Sequence, residues 1–181
     1  MRRPFQITAP VGDVLPLDGD LKAHTRVDDP TDGALIANYQ RAAVALLDGY
    51  TGTLGRCILA QAWAFPVPLA GCEMCLPFPD CRGMEIQSYD GAAFTPIAGA
   101  AILPGFDRVT LSGLPSDRSN VYLTLTAGWP SPAGVPHNLK QAIRLLVGHW
   151  YENREAATAG GVSAEIQFGV DTLISPFRSV R

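Results

Sequence analysis

Three cysteines fall close together in the sequence, Cys72-x2-Cys75-x5-Cys81, and a fourth, Cys57, lies upstream. Thiolates at such spacing invite a soft metal, and structural zinc takes four ligands in a tetrahedron, usually from two close-spaced pairs. Here one C-x-x-C is followed by a single cysteine at a spacing outside that set, so Cys57 would have to complete the site. The alternative is four unrelated, partly buried thiols, and the cysteine spacing favours it. A thioredoxin-like pair would open a helix in a βαβ unit, whereas Pro77 and Pro79 follow this one.

The other reactive side chains are scattered. His24, His137 and His149 share no motif, and His149 beside Trp150 reads as a structural histidine rather than a catalytic one. There is no G-x-S-x-G, no H-E-x-x-H and no phosphate-cradling glycine loop. Asp28, Asp29 and Asp32 lack the glycine and distal glutamate of a calcium loop. Lys22, Arg26 and Arg41 would make a basic stripe ordinary for an exposed helix surface. These residues lead to the expectation of no catalytic centre, no cofactor and no metal.

Composition points elsewhere. Of 181 residues only 17% are charged while 47% are hydrophobic, against about 25% charged in an average soluble domain. Either polar neutral groups coat the surface, or much of it faces other protein. A net charge of −3 argues against a dedicated nucleic-acid binder. No apolar run approaches the roughly 18 residues of a membrane span. Thr8, Pro10, Gly12 and Asp13 break up the stretch after Met1-Arg2-Arg3, so no secretory signal is expected, and the thiols are expected free in a reducing compartment.

The elements that must position these residues form three blocks within one expected domain, 1–181. In the first, 14–52, Asp32 is placed to cap a helix with apolar positions at Leu35, Ile36, Tyr39, Ala42, Ala43, Leu46, Leu47 and Tyr50, stopped by Gly49 and Gly52. A short helix over Leu17–Arg26 is weaker because of Gly19. The second block, 54–129, is rich in proline and has β-type runs at Cys57–Phe65, Met84–Tyr89, Val109–Leu111 and Val121–Ala127, with Asp90-Gly91 as a hairpin turn. In the third, 135–178, Pro136 opens a helix carrying Leu139, Ile143, Leu146, Val147 and Trp150 on one face. Burying five such side chains is worth roughly 8–15 kcal/mol gross, so core packing explains the stripe. A short helix ended by Pro176 completes the chain. The fold expected is α+β: a helical base formed by the N- and C-terminal helices, with leading core residues Leu35, Tyr39, Leu46, Leu139, Ile143, Leu146, Val147 and Trp150, and an inserted antiparallel β module.

The order of motifs carries further meaning. Leu21-Lys22-Ala23-His24-Thr25-Arg26-Val27-Asp28 leads into the long helix and Gly49-Tyr50-Thr51-Gly52. Then come Gln61-Ala62-Trp63, Leu125-Thr126-Ala127-Gly128-Trp129-Pro130, and Val135-Pro136-His137-Asn138-Leu139 running into Gly148-His149-Trp150-Tyr151-Glu152-Asn153-Arg154. From about Val14 to Arg178 this collinear series resembles the head–tail connector (adaptor) family of long-tailed phages, prophages and gene transfer agents. Thr25, the Thr53-Leu54-Gly55-Arg56 turn and the cysteine segment 71–83 depart from the family pattern.

The resemblance implies a structural virion protein, not an enzyme. It would sit in the neck between capsid and tail after assembly in the bacterial host cytoplasm, as a ring of about twelve copies beneath the portal protein. Such a ring extends the DNA channel, lets DNA pass without sequence-specific binding and offers a surface to the next neck or tail-completion protein. About twelve copies at −3 would carry roughly −36, a conduit that repels phosphate. Leu173, Ile174, Phe177 and Arg178 are expected to dock on the portal, an apolar anchor plus arginine; the alternative is a tail folded back on its own core. The competing functions are another neck component, such as a stopper or tail-completion protein, and a small zinc-binding or cysteine-dependent module.

Overall fold

The computed structural model describes residues 3–27, 30–105, 108–154 and 163–179. The chain divides into two compact units. The boundaries fall at Leu59/Ala60 and Gly128/Trp129 rather than at 54 and 129, and the segment up to Val11 joins the inserted β unit. Asp28, Asp29 and residues 155–162 of the third block lie outside the described residues.

In the helical unit, α1 spans Lys22–Thr25, α2 Gly33–Leu47, α3 His137–Glu152 and α4 Ala164–Ile174. Leu139, Ile143, Leu146 and Val147 are buried, and Trp150 packs half-buried against them, its ring 6.3 Å from that of Tyr39. On α2 the face is rotated. Gly33, Ile36, Gln40, Ala43 and Leu47 are buried, whereas Leu46 is 43% exposed and Leu35 only half-buried. Leu46 and Leu35, expected in the core, are therefore flank residues. The helix has two adjacent apolar stripes, and the buried one runs at 33, 36, 40, 43, 47, a 3-4-3-4 spacing. A glutamine sits in that buried stripe because its Oε1 accepts the Leu15 amide N–H at 3.2 Å.

Past α2 the chain turns sharply. A Cβ on Gly52 would lie 2.2 Å from the Asp48 carbonyl oxygen, so only glycine fits. The Asp48 side chain accepts the Ile58 N–H at 2.6 Å, and the Thr53 and Leu54 amides close on the carbonyls of Leu46 and Leu47. The expected Leu17–Arg26 helix is reduced to α1 after a kinked turn, broken at Gly19 with φ 79°. Lys22 pairs with Asp18 at 2.7 Å and Arg41 with Asn38 at 2.8 Å, so two members of the basic stripe have local partners.

The β unit holds β1 Phe5–Thr8, β2 Gln61–Pro66, β3 Glu73–Cys75, β4 Arg82–Tyr89, β5 Phe94–Pro96, β6 Ala101–Pro104, β7 Arg108–Ser112 and β8 Val121–Ala127. They form a five-stranded sheet in the order β1-β2-β8-β4-β5 and a three-stranded sheet in the order β3-β7-β6, every pairing antiparallel. The central strand β8 presents Val121, Leu123, Leu125 and Ala127 to the core, as its alternation requires. Phe78 meets Trp63 and Phe65 edge to face there, with ring centroids 5.9 and 5.7 Å apart, and the Trp63 and Phe65 rings lie tilted at 6.2 Å. The Asp90-Gly91 hairpin joins β4 to β5, and Asp90 Oδ1 accepts the Ala92 and Ala93 N–H groups, each at 2.8 Å. These two amides, Ala93 first, hold the Asp90 carboxyl below its ordinary pKa.

Candidate assembly surfaces

The C-terminal segment is built into the helical unit. Ser163 caps α4, its hydroxyl accepting the Ile166 N–H at 3.5 Å. Val170 and Ile174 are buried, while Leu173 and Phe177 pack half-buried against the same core. Pro176 carries the chain into a single 3-10 turn, Ser175–Phe177. Beyond it Arg178 Nε donates to the Thr53 carbonyl at 3.1 Å and the Ser179 N–H to the Leu54 carbonyl at 2.8 Å. The expected docking set is thus split. Ile174, 1% exposed, is a core residue, and Leu173, Phe177 and the exposed Arg178 lie above it.

Two polar clamps tie elements of the helical unit together. Arg144 on α3 grips Asp20 with both arms, Nε to Oδ1 at 2.6 Å and Nη2 to Oδ2 at 2.7 Å. The guanidinium hydrogen bond lowers the Asp20 pKa, and the carboxylate raises that of Arg144. At the far end of α3 the Tyr151 hydroxyl donates to Asp32 at 2.5 Å and Arg154 reaches the same carboxylate at 3.0 Å. The Tyr151 hydroxyl titrates above its ordinary range because deprotonation would forfeit the bond to Asp32. Asp32 is the residue before α2, yet its side chain makes no cap bond; two partners from α3 and its end outcompete the helix amides. Arg56 stacks 4.6 Å above the Trp129 ring, and burial lowers its pKa.

The candidate metal and catalytic side chains stay apart. Cys57 is buried in the helical unit. In the β unit Cys72 and Cys75 are exposed, and Cys81 is half-buried with its thiol against the Phe78 carbonyl at 3.1 Å. Burial pushes the Cys81 thiol up. Among the described residues no three histidine, cysteine or carboxylate side chains are grouped to hold a metal ion, and no helix is long and apolar enough to cross a membrane. His149 Nε2 accepts the Ser163 N–H at 3.4 Å, next to the α4 cap. His24 packs against the backbone of Gly148.

The β unit carries surface features that periodicity did not announce. Four half-buried rings, Phe5, Tyr89, Phe94 and Tyr122, cluster on one face of the five-stranded sheet with centroids 4.6–6.3 Å apart. Met84, Ile86, Pro96, Ile97, Ala100 and Ile102, with Glu85, line an open cleft of about 400 Å³. A separate loop holds Leu69 70% exposed. Arg118 fastens that loop, its guanidinium donating to the carbonyls of Pro68 and Gly71 and, at 3.4 Å, of Pro115. The sequence signal for such a loop was present in Pro68-Leu69-Ala70-Gly71, an apolar residue inside a turn. Its arginine clamp, 47 positions away from Gly71, had none.

Comparison with known proteins interprets these surfaces. Residues 116–178 match the family model of the phage gp6-like head-tail connector proteins. A subunit from the neck of an empty gene transfer agent particle, computed with C6 symmetry, aligns at TM-score 0.75 and 26% identity over 99% of this chain and 97% of that one. The C-terminal third thus resembles head–tail connector proteins, and the whole chain resembles a neck subunit. A chain from the virion of a native gene transfer agent particle aligns at TM-score 0.71 and 25% identity, covering 99% of this chain and 97% of that one. One from the neck of the native particle with C12 symmetry aligns at 0.63 and 27%, covering 97% and 96%. No curated protein matches the sequence. The proteins that the chain resembles are structural virion neck proteins, not enzymes, and they share its mixed α+β architecture.

Proposed function

We propose that the chain forms a closed ring of about twelve copies in the neck of a virion or gene transfer agent particle, beneath the portal protein. It extends the DNA channel there and receives the next neck or tail-completion component. The observation that carries this reading is the whole-chain likeness to neck subunits, which spans both the helical unit and the β insert. The C12 symmetry of one matching neck supports the copy number. Long helices α2 and α3, of 15 and 16 residues, favour a connector over a mostly-β stopper. Low charge suits flanks covered by neighbouring copies, and the net charge of −3 repels passing DNA.

Docking on the portal is assigned to the surface formed by Leu173, Phe177 and Arg178, with Ile174 as its support from below. Half-exposed apolar side chains beside an arginine are typical of interface anchors. The test is to mix the purified protein with its portal and image the particles for an added ring. Deleting Ser175–Arg181, or making the milder pair Phe177→Ala and Arg178→Glu, should leave a helical protein that no longer joins the portal. Undiminished joining by both variants would remove this segment from the interface.

A further inference from the structure

We propose that Cys72 and Cys75 are two separate sites of modification by a low-molecular-weight disulfide such as glutathione disulfide, and that the β3–β7 ladder keeps them from acting as one dithiol. The C-x-x-C spacing suggests a pair, and the fold separates it. The distance between the two α-carbons is set by the backbone of the residues between them, Glu73 and Met74, and both belong to the extended strand β3. Three steps at the rise of a strand put the α-carbons about 10 Å apart, whereas a disulfide needs them within roughly 7 Å. The ladder fixes that extension. Glu73, Met74 and Cys75 pair in register with Thr110, Val109 and Arg108, and the Leu111 N–H donates to the Cys72 carbonyl at 2.6 Å.

Both residues are exposed, and β3 is an edge strand, so a soluble reagent reaches them from outside the sheet. Cys57 is buried, and Cys81 is half-buried with its thiol on the Phe78 carbonyl. In the exchange, a cysteine thiolate attacks one sulfur of glutathione disulfide. A new S–S bond forms, the old one breaks, and one glutathione leaves as a thiolate that takes up a proton. In a flexible C-x-x-C the second thiolate then attacks the mixed disulfide, expels the other glutathione and closes an internal bridge, because a short tether gives it a high effective concentration. With β3 paired, that second attack is out of reach, and each cysteine keeps its own glutathione. Internal closure requires β3 to peel from β7, so the product of oxidation reports on the local stability of that edge strand. This chemistry belongs to a single copy and does not depend on ring formation.

Intact mass spectrometry with peptide mapping tests this on the reduced full chain treated with excess glutathione disulfide. The native chain should gain first one and then two glutathionyl groups, at Cys72 and Cys75, with Cys57 untouched. The same treatment in urea should favour the internal Cys72–Cys75 bridge, raising the ratio of bridge to mixed disulfide at least about tenfold over the native chain. Cys72→Ser and Cys75→Ser should each still take up one glutathione at the remaining cysteine, at the wild-type rate, while circular dichroism stays that of the wild type. An internal bridge as the main native product, or no addition at either cysteine, overturns the proposal. So does a ratio that urea leaves unchanged, or loss of addition at one cysteine when the other is replaced.

Discussion

The helical unit and the β unit spend their apolar residues differently. In the helical unit the buried stripe of α2, the buried face of α3 and Val170 and Ile174 of α4 close on one continuous core, and charged side chains tie its ends. The β unit also has a core, around Phe65, Phe78, Val109, Leu111, Leu123 and Leu125. It also leaves an open cleft, four half-buried rings, and Leu69 and Leu103 at 70% and 63% exposure, where the helical unit exposes chiefly Phe168 and Leu46, at 75% and 43%. A closed core supplies stability, whereas surface apolar groups supply association, because only those still in contact with water gain by being covered.

Substitutions test that contrast. The largest effect belongs to the closed core. Ile143→Ala should cost about 2–5 kcal/mol in chemical denaturation, as transfer and cavity terms add at a site that cannot collapse. Gln40→Ala should cost about 1–3 kcal/mol, because it strands the buried Leu15 N–H; an unchanged midpoint would mean that water replaces the amide.

Asp20→Asn should cost about 1 kcal/mol, a figure kept small because solvent reaches the pair. Its pH dependence has a definite sign. The folded carboxyl has a lowered pKa, so its contribution is fully present above the ordinary value of 3.8 and is lost as pH falls through the depressed one. The difference between wild type and D20N should therefore vanish in strong acid and be constant near neutrality.

The smallest effects belong to exposed leucines. Leu46→Gln on α2 and Leu103→Ser on β6 should each change stability by no more than about 0.5 kcal/mol, whereas Leu47→Ala, one residue along from Leu46, should behave like Ile143→Ala. Equal losses at Leu46 and Leu47 would erase the distinction between flank and core.

How much was legible in advance varied with the range of the determining contacts. The α3 face and β8 were readable because their patterns are local and continuous. On α2 the helix was readable and its orientation was not: Leu35 and Leu46 lie on a second apolar stripe, and periodicity cannot choose which stripe is buried. β1 was invisible because four residues give too short a pattern and their partner, β2, is some fifty-five positions away, as in the Gln6–Gln61 contact. The connector resemblance was legible as an order of motifs, while the Arg118 clamp and the cleft were not.

By itself the sequence determined the long helices α2 and α3, strand β8, the inserted β module, the α3 core face and the undercharged composition, since each follows from neighbouring side chains or from counting. Only the tertiary structure decided that Ile174 is core and Leu46 surface, that Asp32 turns from the α2 amides to Tyr151 and Arg154, and that Leu69 stands clear on a clamped loop. Those outcomes depend on which distant groups compete for the same side chain, and a linear pattern carries no term for that competition.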